Sequence, residues 1–229
     1  MKKIKNKFLL LQIDCALDDV AMHLNNNQFN ENNGVGIISR KLSNGRITAT
    51  FAERKNIYEE IAYPNGETGK FERIKYVYFD FKVRLINDNY YLFQLFSPPL
   101  SLRAFVLYLS EILPGLAIEK FKLDLFAFRQ SLIEQNSFNN VRVTSLKASS
   151  LPFSNKSIAK IEIFSEVDAF DELKKAYGEK GYDIDRMVFT INNHGLDLEL
   201  SSSSVGSIFF VESLNEDVII DSFSRSIKY

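Results

Sequence analysis

The feature that most constrains this chain is Ser43-Asn44-Gly45, set between GIISRKL (36–42) and RITATFAER (46–54). Asn-Gly between two β-rich runs marks a two-residue type I′ hairpin, because both central residues must take φ > 0. An antiparallel sheet must therefore start here. A second turn is expected at Tyr63-Pro64-Asn65-Gly66, and a third at Asn87-Asp88-Asn89, between FERIKYVYFDFKVRLI and YYLFQLF. Four or five antiparallel strands then occupy 36–96, as a meander that curves or closes into a partial barrel.

The flanks supply helices. ALDDVAMHL (16–24) repeats apolar residues at helical spacing. SPPLSLRAFVLYLSEILPG (97–115) predicts a helix over 98–113, with Ser97 as cap, Pro98 and Pro99 in the first turn and Pro114-Gly115 as the stop. Its stripe of Leu102, Phe105, Val106, Leu109, Ile112 and Leu113 is broad enough to cover the meander. NNNQFNENN (25–33) favours turns over packing and reads as an exposed loop. Residues 117–136 fit a helix over 125–135, although Phe121, Leu123 and Leu125 also alternate like a strand.

The last part reads strand, strand, helix, strand, strand, strand, with DVIIDSF as a possible final strand. Asp168 should cap the helix and Gly181 should lie just past its end. The expected fold class is α+β. An N-terminal β-meander or partial barrel packs on a helix (1–116). A helical connector and a smaller α/β sandwich, ferredoxin-like or related, follow (117–229), the two parts being either separate domains or one continuous domain.

Composition narrows the functional classes. With 229 residues, the chain can bury a sizeable core, and its twenty Phe and ten Tyr without Trp make that core Phe-rich. The net charge of −1 hides an excess of three cations in residues 1–116 and four anions in 117–229. Neither is the strongly basic footprint of a dedicated DNA-binding domain. A single cysteine, Cys15, forbids an intrachain disulfide and reads as a small buried hydrophobe, which fits a reducing cytoplasm. The start MKKIKNKFLLLQID has too short an apolar run for export or insertion, so no membrane partner is expected. The Asn/Lys/Ile/Phe-rich composition suggests an AT-rich bacterial or phage genome.

One stretch carries most of the candidate chemistry, YVYFDFKVRLI (76–86). Alternate residues of a strand share a face. Val77, Phe79, Phe81, Val83 and Leu85 form a core face; Tyr76, Tyr78, Asp80, Lys82 and Arg84 form an aromatic, mostly basic outer face. With Lys70, Arg73 and Lys75 nearby, this is the expected binding surface, for a protein partner first and for nucleic acid second. Asp80-Phe81-Lys82 also has the D-x-K order found in nuclease cores of the restriction-enzyme type. There the acid holds Mg²⁺ and the lysine helps position the attacking water. That resemblance implies a Mg²⁺-dependent nuclease with Asp80 and Lys82 catalytic. It departs from the pattern where a second acid should follow a proline: Asn65 follows Pro64, so Glu59, Glu60 or Glu67 must approach Asp80 instead.

Other patterns carry less. Asn65-Gly66-Glu67-Thr68-Gly69-Lys70 lacks the leading glycine, the Ser/Thr after the lysine and the following helix of a phosphate-binding loop, and reads as a hairpin turn. His23 and His194 have no metal-ligand spacing. Asp183 and Asp185 suit a divalent cation or a polar lead-in to a strand. The sequence thus points to a cytoplasmic accessory protein that binds, with no cofactor or metal. The alternative is the Mg²⁺ nuclease, and homo-oligomerisation through sheet edges is a third possibility.

Overall fold

The structure is a computed structural model that describes residues 3–134, 138–154, 157–178, 181–193, 196–203, 206–211 and 214–228. The fold is mixed α+β, with antiparallel sheet packed against helices. It divides into two compact units. One spans Leu9–Ile118, and the other combines Met1–Phe8 with Glu119–Tyr229.

In the first unit, β1 (Lys3–Gln12, which enters this unit at Leu9) leads to α1 (Leu17–Asn26), then β2 (Val35–Ser43), β3 (Arg46–Ala62), β4 (Thr68–Asn87), β5 (Tyr90–Phe96) and α2 (Arg103–Ile112). The strand order is β2-β3-β4-β5-β1. The Asn44-Gly45 turn forms as expected, with φ of 51° and 68°. The turn at Pro64 also forms: the Tyr63 amide donates to the Glu67 carbonyl, the Gly66 amide to the Tyr63 carbonyl, and Gly66 has φ of 86°. Asp88, with φ of 28°, reverses the chain in the third turn.

Helices α1 and α2 bury the core face of the meander. Val20, Ala21 and Leu24 of α1 and Phe105, Tyr108 and Leu109 of α2 join Phe51, Phe79, Phe81 and Phe93 in one cluster. Helix α2 starts at Arg103, five residues later than the proline pattern predicts. A residue that precedes proline is pushed out of the α region, and both Ser97 and Pro98 stand in that position. Ser97 takes φ of 45° and Leu102, not Ser97, occupies the cap position.

The short β6 (Ala117–Glu119), which pairs with β1, lies where the chain passes from the first unit to the second. The second unit contains β7 (Lys122–Leu123), α3 (Leu125–Glu134), β8 (Asn139–Ser154), β9 (Ser157–Phe164), α4 (Ala169–Tyr177), β10 (Asp183–Asn193), β11 (Leu196–Ser203), β12 (Ser207–Val211), α5 (Glu216–Arg225) and β13 (Ile227–Lys228). Its strand order is β1-β12-β11-β10-β8-β9, with β7 and β13 as a separate pair. The first residues of the chain close this sheet, with Lys3 opposite Val211 and Lys7 opposite Ser207. Phe8, Phe128, Phe189 and Phe223 form its aromatic centre; Phe8 stacks on Phe223 at 4.1 Å and Phe128 meets Phe189 edge-on at 5.9 Å.

Two expectations change here. DVIIDSF is helical, within α5, because Ile219, Ile220 and Phe223 fall on one helical face and bury it, while Glu216 and Asp217 sit in the first turn. Helix α4 is capped by Asp168 as expected, but ends at Gly178, with φ of 79°, before Gly181 is reached. His194 lies outside the described residues. Among the described residues, no helix is long and apolar enough to cross a membrane.

Candidate interaction surface on the β3–β4 ribbon

Strands β3 and β4 pair without a register shift over their whole common length, from Arg46 opposite Arg84 to Ala62 opposite Thr68. Their neighbours stop much earlier. Strand β2 pairs with β3 only as far as Glu53, and β5 pairs with β4 only from Phe81. From Lys55 and Lys75 onward, the two strands therefore continue as a two-stranded ribbon. From Lys55 to Ala62 it runs about 24 Å, at roughly 3.4 Å per residue.

A two-stranded ribbon has no third layer to bury its side chains. Tyr58 is 69% exposed, Phe71 51% and Ile74 49%. Polar side chains brace the structure at both ends. At the tip, the Asn65 side-chain amide donates to the Glu67 carboxylate at 2.9 Å, and its oxygen accepts from the Glu67 amide. Close by, the Tyr63 ring lies over Gly69, where a Cβ would come within 2.8 Å of it. At the root, the Tyr76 hydroxyl donates to Glu31 at 2.9 Å, and Arg54 approaches the same carboxylate at 3.6 Å. Phe29 meets the Tyr76 ring edge-on at 6.2 Å. The Asn-rich loop is thus tied to the ribbon through Phe29 and Glu31. The hydrogen bond to Glu31, followed by partial dehydration, raises the Tyr76 phenol above its ordinary range.

The strand alternation separates the residues singled out in the sequence. Tyr76, Tyr78, Asp80, Lys82, Arg84 and Lys70 share one face. Arg73 and Lys75 lie on the opposite face, in line with the core residues Phe79 and Phe81. On the first face, Tyr76 and Tyr78 stack nearly parallel, 6.2 Å apart, and Tyr78 is 55% exposed. The Lys82 ammonium lies 5.2 Å from the centre of the Phe96 ring. Arg84 is only 8% exposed, so it belongs to the packed body of the sheet.

Asp80 accepts a 2.6 Å hydrogen bond from the Thr50 hydroxyl, which in turn lies 3.0 Å from the Ser39 hydroxyl. This hydroxyl–carboxylate chain crosses β2, β3 and β4. No carboxylate stands opposite Asp80, where β3 places Thr50. Glu59 pairs with Phe71, Glu60 with Lys70, and Glu67 lies beyond both. Phe71 is nine positions along β4 from Asp80, roughly 30 Å. The fold does not bring the alternative acids to the D-x-K pair. Among the described residues, no three His, Cys, Asp or Glu side chains converge to hold a metal ion.

The remaining candidates resolve simply. Cys15 is half-buried against the core, and burial, followed by Asp19 and Asp14, pushes its thiol up, away from thiolate chemistry. Asp183 is held by Lys122 at 2.6 Å, and that hydrogen bond and charge lower its carboxyl below the usual range. Both line a cleft of about 490 Å³ with Asp124, Phe126, Phe170, Lys174, Tyr182 and Lys228. Lys228 pairs with Asp124, so both of the cleft's carboxylates are neutralised locally.

The ribbon was partly visible in the sequence as two β-rich runs around a turn. Its exposure was not, because that depends on where β2 and β5 end. No protein-family model matches this chain, and none of the curated proteins does.

Proposed function

We propose that the protein acts by binding another protein, as a cytoplasmic accessory subunit, and that the β3–β4 ribbon is its contact element. The observation that carries this reading is the exposure of Tyr58, Phe71 and Ile74 on a ribbon that no other strand joins among the described residues. Large apolar side chains gathered on an exposed element mark interaction surfaces, and aromatic residues are enriched at protein interfaces. The charge balance favours protein over nucleic acid. Residues 54–76 hold Arg54, Lys55, Lys70, Arg73 and Lys75 against Glu59, Glu60, Glu67 and Glu72. A phosphate-tracking surface needs a clear cationic excess, and five cations against four acids leave only one net positive charge on the ribbon.

The choice of class is testable on one plate. Purified protein meets single- and double-stranded DNA and RNA, with Mg²⁺ or EDTA, at low and moderate salt. No retardation at moderate salt and no cutting are expected. A shift at moderate salt that Lys82→Ala weakens would assign nucleic-acid binding to the outer face of β4. Mg²⁺-dependent cutting lost in Asp80→Ala would replace the binding reading with catalysis. Arg84→Ala is a poor probe of either, because a buried side chain is removed and the sheet itself is weakened.

A further inference from the structure

We infer that the partner of the ribbon is a second copy of this chain, its ribbon laid antiparallel across the first. The inference rests on the protein-binding reading above and names the protein bound. Its basis is the order of charges along the ribbon. On the face that continues the core side, the root holds Lys55, Arg73 and Lys75, with Glu53 paired to Lys55 at 3.1 Å. The tip of that face holds Glu59 and no cation, and the turn beyond it holds Glu67. The face is therefore net basic at its root and net acidic towards its tip.

A surface that is basic at one end and acidic at the other, with Ile57 and Phe71 towards its middle, is complementary to itself when reversed. A two-fold axis through the ribbon's middle sets each acidic tip on the other copy's basic root. That is an isologous contact, which closes at two subunits. The parallel arrangement would set tip on tip and root on root, and like charges repel. The face that continues the core side suits the contact best. Its central pairs are Ile57 opposite Arg73 and Glu59 opposite Phe71. Reversal gathers these four residues of both copies into one cluster, with apolar surface and opposite charges side by side. Within one chain, Arg73 already reaches Glu59 at 2.8 Å, which sets both side chains along this face.

A ribbon about 24 Å long is shorter than a standard interface requires, so association in the micromolar range, about 1–100 µM, is expected. Sedimentation velocity across that range tests it. The mass should rise from 26.3 kDa towards twice that value with concentration, and added salt should reverse the rise. Glu59→Lys should sediment as a monomer, and so should Arg73→Glu. An equimolar mixture of the two variants should recover the dimer, because the reversed charges match again. Recovery also shows that both variants are folded.

A wild-type monomer at every concentration overturns the inference, as does a dimer indifferent to these charges or a mixture that stays monomeric. A monomer whose ribbon nonetheless binds a different protein would remove the second copy as partner and leave the protein-binding reading standing.

Discussion

Asp168→Ala is expected to lower stability by about 3–5 kcal/mol, the range for removing one partner of a buried ion pair. Asp168 is buried, and one of its oxygens accepts from the Phe170 and Asp171 amides at 3.0 and 3.1 Å, capping α4. The other accepts from the Val143 amide of β8 at 3.0 Å and from the Arg129 guanidinium of α3 at 3.1 Å. One carboxylate therefore joins two helices and a strand. Its loss leaves the mostly buried guanidinium with only the exposed Asp171 carboxylate, at 3.5 Å, and the buried Val143 amide without its acceptor. Since a domain's net stability is about 5–15 kcal/mol, this is a large share. Urea unfolding followed by far-UV circular dichroism reads the effect. Asp171→Ala, on the exposed side of Arg129, is the control, with a loss below about 1 kcal/mol. A loss of only about 1 kcal/mol in Asp168→Ala would reduce the residue to a helix cap.

Phe105→Ala should cost a similar amount, about 3–5 kcal/mol, in the other unit. Phe105 is fully buried on α2 and meets Phe51, Phe79 and Phe81 at centroid distances of 5.1, 5.1 and 5.2 Å, mostly edge to face. Deleting the ring opens a cavity at the point where β3, β4 and α2 meet, and the surrounding Phe side chains are too rigid to fill it. Phe105→Leu, which keeps much of the volume, should cost markedly less. Leu107→Ala, on the exposed side of the same helix, should change stability by less than about 0.5 kcal/mol. Equal losses at Phe105 and Leu107 would contradict the packing of α2 on the meander.

Both sites were legible in the sequence in part. Asp168 stood where a helix cap belongs, and Phe105 stood on the apolar stripe of 98–113. The Asn44-Gly45 turn was read with its conformation, because so few residues tolerate φ > 0 at both positions. What the sequence hid was distant in the chain. The tie between Asp168 and Val143, the bond from Tyr76 to Glu31 and the pairing of Lys3 with Val211 join residues with no local pattern between them. Short apolar runs misled in one case: DVIIDSF fits either period over seven residues, and only its burial against the second unit's core decides for helix. The candidate surface shows the same limit. Alternation separated the outer face from the core face of 76–86, yet Arg84 on the outer face is buried and Arg73 and Lys75 point to the other side. A cluster in sequence spans two faces of a strand, and only the register shows which members act together.

Binding of protein through the ribbon's exposed aromatic side chains is read by amine cross-linking in extracts of the producing cells, because Lys55, Lys70 and Lys75 all lie on the ribbon. Wild type and the double variant Tyr58→Ser with Phe71→Ser are compared at matched concentration. Because both side chains are exposed, the variant should unfold within about 0.5 kcal/mol of wild type. Cross-links are expected from the ribbon lysines to one protein, a second copy of the chain included, with at least a tenfold drop in the variant, since aromatic anchors carry about 2 kcal/mol or more each. Cross-links equally strong in the variant, or none from any ribbon lysine in wild type, would contradict binding through these side chains.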